Sequence, residues 1–261
     1  MKSVVITGST RGIGFGLAAK FLERGLNVAV NGTSEESVHS ALEKLSAFKE
    51  QILGVQGKTD DRASMERLFD KALEQFGNVD IWINNAGINQ PRKMAWELEA
   101  MEVGRIIDVN IMGMINGTSV AYNKMLHQGH GKIFNMEGLG SDGRIEKKMA
   151  VYGTSKCALS YYTKAFAKEN SYKDIQVGLL SPGMVLTDFM TNALNGPPED
   201  VARFKKIFNI LGDDVDTVTT YLADGILKSK KNYDHIRWLS PGKVMMRFMS
   251  APFSKRNFFT E

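Results

Sequence analysis

Short strand-like runs and longer amphipathic segments alternate along the first 180 residues, and this alternation constrains the fold more than any other feature of the chain. Runs such as residues 4–6 and 175–180 are rich in Val, Ile and Leu and have the length of buried strands. The segments between them, such as residues 61–76, carry apolar side chains at helical spacing. Repeated alternation of this kind predicts an α/β fold, in which helices cover both faces of a mainly parallel sheet.

The same patterns give the order of the elements. The predicted strands are residues 4–6, 27–30, 52–55, 79–83, 132–134, 175–180 and 235–239. The predicted helices lie near residues 12–25, 35–50, 61–76, 97–128, 151–172 and 213–229. No stretch rich in Pro, Gly or Ser divides the chain, so we predict a single domain over residues 1–261.

The alternation stops after residue 183. Two short helices are predicted around Gly196-Pro197-Pro198, and they would form a small helical lid within residues 184–212. Residues 241–261 form a C-terminal extension rich in Met, Phe, Lys and Arg. We favour packing of its apolar stripe against the chain's own domain or a partner subunit, and contact with a membrane surface is the alternative.

Charge and cysteine content exclude several classes of protein. The net charge of +4 comes without a long run of Lys or Arg, so nucleic acid is not an expected partner. The histidines His39, His127, His130 and His235 are scattered, and we predict no metal site. The single cysteine Cys157 excludes an internal disulfide, and we predict a small core-side residue there, with a reactive thiol as the alternative.

Neither a targeting signal nor a membrane span is evident. The first residues lack the basic, apolar and small-residue segments of a signal peptide. No apolar run reaches the roughly 18–20 residues that cross a bilayer. We therefore expect a cytoplasmic location.

A glycine-rich turn, TGSTRGIG at residues 7–14, follows the first strand and opens the first helix. Glycines let backbone amides approach a pyrophosphate closely, and the N-terminus of a helix favours negative charge. The strand–turn–helix context makes dinucleotide binding the preferred interpretation over a purely structural turn. The residues predicted to hold the cofactor here are Gly8, Ser9, Thr10, Arg11, Gly12, Ile13 and Gly14.

The end of the second strand bears on the choice between NAD(H) and NADP(H). An acidic residue at that point holds the ribose hydroxyls of NAD, whereas this chain has Asn31-Gly-Thr-Ser34. Small hydroxyl groups such as that of Thr33 admit a 2′-phosphate, and Arg11 supplies positive charge. The pattern favours NADP(H) over NAD(H), although Glu35 and Glu36 at the start of the next helix would weaken that preference if either faced the site.

Together with the glycine-rich turn, four further motifs resemble the short-chain dehydrogenase/reductase family, in the order found in that family. They are NNAG at 84–87, DVN at 108–110, YGTSK at 152–156 and SPGMVLT at 181–187. The resemblance implies a doubly wound Rossmann fold with a sheet of about seven strands, reversible carbonyl–alcohol chemistry on a small-molecule substrate, a substrate lid at 184–212, and a homodimer or homotetramer. It also assigns further cofactor contacts to Asn85, Ala86, Gly87, Pro182, Gly183, Val185 and Thr187, beside Tyr152 and Lys156.

Tyr152 and Lys156 have the spacing expected of a proton donor and its activator. A carbonyl that receives hydride develops alkoxide charge and needs a proton, but a tyrosine with a pKa of about 10 donates and recovers its proton slowly at neutral pH. A lysine four residues along lies on the same helix face, where its positive charge stabilises the phenolate. Asn110 resembles the family residue that bends its helix and helps to hold a water linking Lys156 to solvent.

Two positions depart from the family's pattern. The position after the third strand, where Asp usually contacts the adenine ring, is Lys58, with Asp60 two residues later. The catalytic serine is expected 14 or 13 residues before Tyr152, where the chain has Gly138 and Leu139.

Three explanations of the missing serine remain open at the level of sequence. The first two are that Ser141 or a protonated Glu137 replaces it, and the third is that Tyr152 alone suffices for an easily polarised aldehyde, which we favour. The combination of FNMEGLGSDG with AVYGTSKCAL resembles the chlorophyll b reductase-like subgroup, in which this glycine is a shared trait.

The leading functional hypothesis is an NADPH-dependent reductase that transfers hydride to an aldehyde or ketone, including a formyl group on a bulky substrate. The alternative is a catalytically silent NADP(H)-binding sensor or scaffold that lacks the usual serine. The complete set of Tyr152, Lys156 and Asn110 favours the enzyme.

Overall fold

One seven-stranded parallel sheet organises the protein in a computed structural model that describes residues 1–187, 190, 194 and 197–259. Its strands are β1 (Ser3–Ile6), β2 (Asn27–Gly32), β3 (Ile52–Gln56), β4 (Ile81–Asn84), β5 (Gly131–Met136), β6 (Ile175–Ser181) and β9 (His235–Arg237). A separate parallel pair consists of β7 (Met184–Val185) and β8 (Gly212–Asp213). The predicted strands are all present.

The helices connect the strands as predicted. They are α1 (Gly12–Glu23), α2 (Glu35–Lys44), α3 (Arg62–Phe76), α4 (Ala100–Ile107), α5 (Gly113–Gln128), α6 (Ala150–Glu169), α7 (Pro198–Leu211), α8 (Val215–Lys228) and α9 (Pro241–Ser250). Single 3₁₀ turns lie at Ser46–Phe48, Ala95–Glu97 and Ala251–Phe253. The long helix predicted near 97–128 is divided, because a π-helical segment at Asp108–Met112 separates α4 from α5.

The strand order is β3-β2-β1-β4-β5-β6-β9, so the chain leaves β1 in one direction and continues from β4 in the other. The carboxyl ends of β1 and β4 therefore flank a crevice, which is where open α/β sheets bind their ligands. The doubly wound Rossmann fold and the single domain predicted from the sequence are confirmed.

Each strand contributes side chains to two apolar layers, because successive residues face opposite sides of the sheet. Val4 and Ile6 pack with Phe21 of α1 and with residues of α8, whereas Val5 packs with Trp82 and with residues of α3 and α5. Burying each large apolar side chain contributes roughly 1.5–3 kcal/mol. Because helices cover both faces of the sheet, the central strands are continuous apolar runs in the sequence.

The helix ends follow local sequence signals. Ser34 begins α2 by accepting the amide hydrogen of Ser37 at 3.2 Å, and Asp61 begins α3 in the same manner. Gly77 ends α3 in the left-handed conformation, with φ of 80°, which glycine adopts without strain.

The lid predicted within 184–212 is described in part. Its second helix is α7, but the first falls on residues 188, 189, 191–193, 195 and 196, which lie outside the described residues. The prediction of a core-side Cys157 is wrong: the thiol-bearing residue is exposed, because it lies on the outer face of α6.

The C-terminal extension is fixed to the body by one buried carboxylate. Asp213 on β8 accepts hydrogen bonds from Arg247 and Arg256, both at 2.7 Å, and from the Trp238 indole at 2.6 Å. Leaving such a buried charge without its partners costs about 3–5 kcal/mol. Phe258 and Phe259 also pack against Phe208 of α7, so this part of the extension belongs to the domain.

Helix α9 presents its apolar side chains outward, so the predicted packing against the chain's own domain is wrong for this helix, whereas the predicted packing against a partner subunit stays a prediction. Lys243, Val244 and Arg247 face the body, and Lys243 lies over the Trp238 ring. The exposed apolar residues of this helix are Met245 at 64%, Met246 at 61%, Phe248 at 49% and Met249 at 73%.

Candidate active site

The glycine-rich turn presents an uncapped helix end at the crevice. No side chain caps α1 at Arg11, and its first turn contains no acidic residue. Gly8 and Gly12 have positive φ values of 59° and 58°, and a Cβ at Gly8 would lie 2.8 Å from the Cα of Ala86. Free amides, close backbone approach and the positive end of the helix fit a pyrophosphate.

This turn is joined to the loop after β4 by reciprocal hydrogen bonds. The Thr7 hydroxyl oxygen accepts the amide hydrogens of Asn85 and Ala86 at 3.0 and 3.1 Å. The Asn85 side chain donates to the carbonyl oxygens of Thr7 and Gly8 at 3.0 and 2.9 Å. The two motifs found separately in the sequence therefore form one wall of the crevice.

The residues after β2 have divided roles. Asn31 is buried, and its side chain accepts from the amide of Gly8 and donates to the carbonyls of Val55 and Gly57, so it supports the turn from within. Thr33 is exposed, whereas the Ser34 hydroxyl is used to cap α2. A Cβ at Gly32 would touch the methyl group of Thr10, which places the glycine-rich turn directly beside the end of β2.

Arg11 is exposed, and no ion pair or hydrogen bond engages its side chain within the part of the chain that the structure describes. Lys58 and Asp60 after β3 are both exposed as well. Asn116 on α5 donates to the backbone carbonyls of Thr59 and Asp60, which fixes this loop but leaves the Asp60 carboxylate in solvent.

Tyr152 and Lys156 lie on the buried face of α6, and a residue from another loop positions the start of that helix. The Gln90 side chain accepts the amide hydrogens of Val151 and Tyr152 at 2.9 and 3.0 Å, replacing the cap that Met149 does not supply. Lys156 Nζ donates to the carbonyl oxygen of Met136 at 3.0 Å. The predicted pair is thus brought together at the carboxyl end of β5.

Burial changes the titration of both groups. It raises the pKa of Tyr152 well above its usual value, so the phenol is protonated at neutral pH. It lowers the pKa of Lys156 to about 8, although the negative charge of Glu137 acts in the opposite direction. The site contains a proton donor beside a lysine that titrates close to physiological pH.

Asn110 lies in the π-helical segment between α4 and α5. Its side chain accepts from the amide of Ile88 at 2.8 Å and donates to the Ile88 carbonyl and the Ser155 hydroxyl, both at 3.0 Å. A Cβ at Gly87 would lie 3.3 Å from the Asn110 side-chain oxygen and 3.5 Å from Lys156 Nζ. Asn110 therefore ties the loop after β4 to α6 close to the lysine.

Gly138 is the position that faces the tyrosine, and Leu139 is partly exposed. A Cβ at Gly138 would overlap the Tyr152 hydroxyl and would lie 3.2 Å from Lys156 Cγ and Cε. Ser141 fixes the loop, since its hydroxyl accepts from the Gly138 amide at 3.1 Å and donates to the Lys156 carbonyl at 3.3 Å. These contacts favour a turn residue over a replacement for the serine.

Glu137 is buried, and its carboxylate faces His235 on β9 at 2.8 Å and the Ser160 hydroxyl at 2.9 Å. Burial raises the pKa of Glu137, but hydrogen bonds from His235, Ser160 and Ser181 outweigh it and bring the pKa below its usual value. Because an ionised carboxylate has no proton to give, Glu137 is not the acid that replaces the serine.

The turn after β6 lies against the glycine-rich turn. Pro182 is buried, Gly183 has a φ of 73°, and Val185 pairs with Asp213 between β7 and β8. A Cβ at Gly12 would lie 3.6 Å from the methyl carbon of Thr187. The structure thus brings the predicted cofactor contacts of both segments to the same crevice.

A family model described as short chain dehydrogenase matches residues 2–197. The chain belongs to the short-chain dehydrogenase family. Among the described residues of this short-chain dehydrogenase, no group of His, Cys, Asp and Glu side chains is arranged to hold a metal ion, and no helix is long and apolar enough to cross a membrane.

Individual relatives support the resemblance to chlorophyll b reductases. The whole chain is 31% identical to a protein of Oryza sativa subsp. japonica named probable chlorophyll(ide) b reductase NYC1, chloroplastic, and it covers 54% of that protein. Identity to the protein named chlorophyll(ide) b reductase NOL, chloroplastic, of the same organism is 35%, covering 95% of this chain and 74% of the relative. The chain thus spans about half the length of NYC1.

A solved structure confirms the fold. The crystal structure of a gluconate 5-dehydrogenase from Burkholderia cenocepacia J2315 in complex with NADP and tartrate has a TM-score of 0.76 to this chain. The two are 23% identical over 90% of this chain and 93% of that one. At this identity the likeness establishes the architecture of the short-chain dehydrogenase alone.

Sequence reasoning missed Gln90 and His235. Gln90 follows the NNAG motif by three residues, and only the packing of its loop against α6 shows that it caps that helix. His235 is 98 residues from Glu137, and no local pattern connects the two.

We predict that restoring the usual serine lowers activity in this short-chain dehydrogenase. In Gly138→Ser the added Cβ displaces the Tyr152 hydroxyl, and a displacement of about 1 Å costs roughly a hundredfold in kcat. Steady-state kinetics with saturating cofactor measures the loss. Leu139→Ser is the matched control and keeps its activity, and a Gly138→Ser enzyme faster than the wild type would contradict the prediction.

Proposed function

We propose that the protein is an NADPH-dependent reductase that converts an aldehyde or ketone to an alcohol. The observation that carries this proposal is the buried Tyr152–Lys156 pair, which shares one crevice with the uncapped end of α1. Bound NADPH supplies the hydride at such a site. The residues that would hold it are those of the glycine-rich turn, the loop after β4 and the turn at 182–187.

The chain's own groups complete the reaction with a proton. Tyr152 donates its phenolic proton to the alkoxide that develops on the carbonyl oxygen, and the alcohol leaves. The Lys156 ammonium stabilises the resulting phenolate, which then recovers a proton from solvent through the region that Asn110 anchors. In the reverse direction the phenolate accepts the alcohol proton.

The absence of the serine and the names of the relatives favour an aldehyde on a bulky substrate. Gly138 provides no hydroxyl to polarise the carbonyl, and a formyl group needs less polarisation than a ketone. Two relatives carry the name chlorophyll(ide) b reductase, which supports a formyl group on a large ring as the substrate class.

The predicted homodimer or homotetramer and the predicted cytoplasmic location stay part of the proposal. Exposed apolar side chains on α4 and α6, Met101 at 71% and Tyr161 at 77%, support self-association. We also infer that α9 lies on an anionic membrane surface, because it presents an outer face of Met and Phe.

Charge supports contact of α9 with an anionic surface. Residues 201–212 and 238–259 contain no Asp or Glu, and Asp213 is shared by two arginines, so positive charge remains. Basic side chains next to an apolar helix face bind anionic lipids. The basic residues of these two stretches are Arg203, Lys205, Lys206, Lys243, Arg247, Lys255 and Arg256.

We predict that Tyr152→Phe abolishes turnover and leaves the affinity for NADPH nearly intact, because the variant loses the proton donor and keeps the ring. Turnover is measured on a panel of aldehydes and ketones, and affinity by the quenching of intrinsic fluorescence. Retained turnover would show that the role assigned to Tyr152 is wrong. Wild-type protein that binds NADPH without reducing any carbonyl would support the sensor instead.

We predict that Arg11→Gln raises the KM for NADPH about tenfold, because it removes a charge-assisted hydrogen bond to the 2′-phosphate. The KM for NADH serves as the internal control, since NADH lacks that phosphate and its KM stays within about twofold. Equal effects on both cofactors would contradict NADP(H) recognition by Arg11.

We predict that the protein co-sediments with vesicles containing phosphatidylserine and that the double variant Met245→Glu/Met249→Glu does not. Leu73→Glu, at a partly exposed apolar position on α3, is the matched control and stays bound. These substitutions keep the contacts of Asp213, which a chain ending near residue 240 would lose. Membrane contact would be overturned if the wild-type protein did not co-sediment with the vesicles. It would also be overturned if the double variant had an altered oligomer mass, because α9 would then be a contact between subunits.

A further inference from the structure

A buried carboxylate lies beside the catalytic lysine, and the reaction proposed above does not use it. Glu137 is 8% exposed and directly precedes Gly138. Burying a carboxylate is costly unless hydrogen bonds and opposite charges compensate for it. The contacts of Glu137 therefore indicate the function of its negative charge.

A residue of α6 holds the carboxylate one helical turn from Lys156. Ser160 follows Lys156 by four residues and lies on the same helix face, and its hydroxyl donates to Glu137 Oε1 at 2.9 Å. Both chain neighbours of Glu137 also lie close to the lysine: the Met136 carbonyl oxygen accepts from Lys156 Nζ at 3.0 Å, and a Cβ at Gly138 would lie 3.2 Å from Lys156 Cγ and Cε.

Two residues of β9 hold the carboxylate from the other side. Arg237 lies 3.1 Å from His235 Nδ1, and because a guanidinium only donates hydrogen bonds, Nδ1 accepts. Nε2 then carries the proton and donates to Glu137 Oε2 at 2.8 Å. Arg237, His235 and Glu137 form a continuous chain of hydrogen bonds that ends beside Lys156.

We propose that Glu137 is a positioning residue whose carboxylate keeps the Lys156 ammonium protonated, with Ser160 and His235 holding that carboxylate in place. The inference rests on the proposed reductase function, in which only a protonated Lys156 stabilises the Tyr152 phenolate.

The surrounding charges agree with this role. Burial lowers the pKa of Lys156 to about 8, and the charge of Glu137 is the influence that raises it. Besides Lys156, His235 and Arg237, a titratable group near Glu137 among the described residues is Tyr233, in the loop before β9. Burial and then the charge of Glu137 raise the pKa of Tyr233, so its phenol stays neutral.

We predict that Glu137→Gln, which keeps the size and hydrogen-bonding capacity of the side chain, lowers the titration midpoint of Lys156 by about one pH unit. In protein labelled with ¹³C-lysine, the Lys156 ¹³Cε resonance is identified by its absence in Lys156→Arg, and its titration gives the midpoint without any substrate. Turnover then falls roughly fivefold at pH 8 and little at pH 6, since a lysine titrating near pH 8 is largely protonated at pH 6 in both proteins.

Two further variants separate charge from structure. Glu137→Asp keeps the charge, and its midpoint stays nearer to the wild-type value than that of Glu137→Gln. Ser160→Ala removes the hydrogen bond to the Glu137 carboxylate and lowers the Lys156 midpoint by less than Glu137→Gln does. If Glu137→Gln does not fold, the midpoint of Ser160→Ala tests the inference.

A midpoint unchanged in Glu137→Gln, or in Ser160→Ala when only that variant folds, would overturn the inference. Equal loss of turnover at pH 6 and pH 8 would also overturn it, because a merely structural role acts at every pH. Wild-type protein without turnover would refute the reductase function, while the resonance would still report whether Glu137 acts on Lys156.

Discussion

The hydrogen bonds between Thr7 and Asn85 hold together the two loops on which the rest of the site depends. They join the turn after β1 to the loop after β4, on the two sides of the crevice where the strand order reverses. The second loop continues to Ile88, whose backbone amide and carbonyl are hydrogen-bonded by the Asn110 side chain, and to Gln90, which caps α6. One short segment after β4 thereby sets the position of both the glycine-rich turn and α6.

The parts of the structure that local patterns specify were predictable. The apolar periods located the strands of the sheet, and the spacing of Tyr152 and Lys156 placed both on one helix face because α6 is regular. The glycine-rich turn was found for the same reason, since its strand, turn and helix are contiguous. The resemblance to a family predicted a bend in the helix at Asn110, whereas periodicity alone predicted one uninterrupted helix, and the structure has a π-helical segment at that position.

The parts that depend on contacts between distant segments were not predictable. Glu137 meets His235 only because β9 pairs with β6, and nothing near either residue indicates that pairing. The outward face of α9 has the same origin: its basic residues are drawn inward by Asp213 and Trp238, so the apolar residues remain outside. Cys157 was misplaced because position on a helix does not by itself tell which face meets the sheet.

The uncapped N-terminus of α1 also has a consequence for folding. Neighbouring helices such as α2 and α3 begin with a side chain that satisfies their free amides, worth roughly 1 kcal/mol in each case. At α1 the first backbone amides have no side-chain cap and can bind an anion, so the ligand-free protein lacks the stabilisation that a cap provides. A bound dinucleotide then acts as the missing cap, and its occupancy shifts the folding equilibrium by mass action. The same N-terminal amides of α1 therefore serve both dinucleotide binding and helix stability. In this protein the two properties cannot be optimised separately.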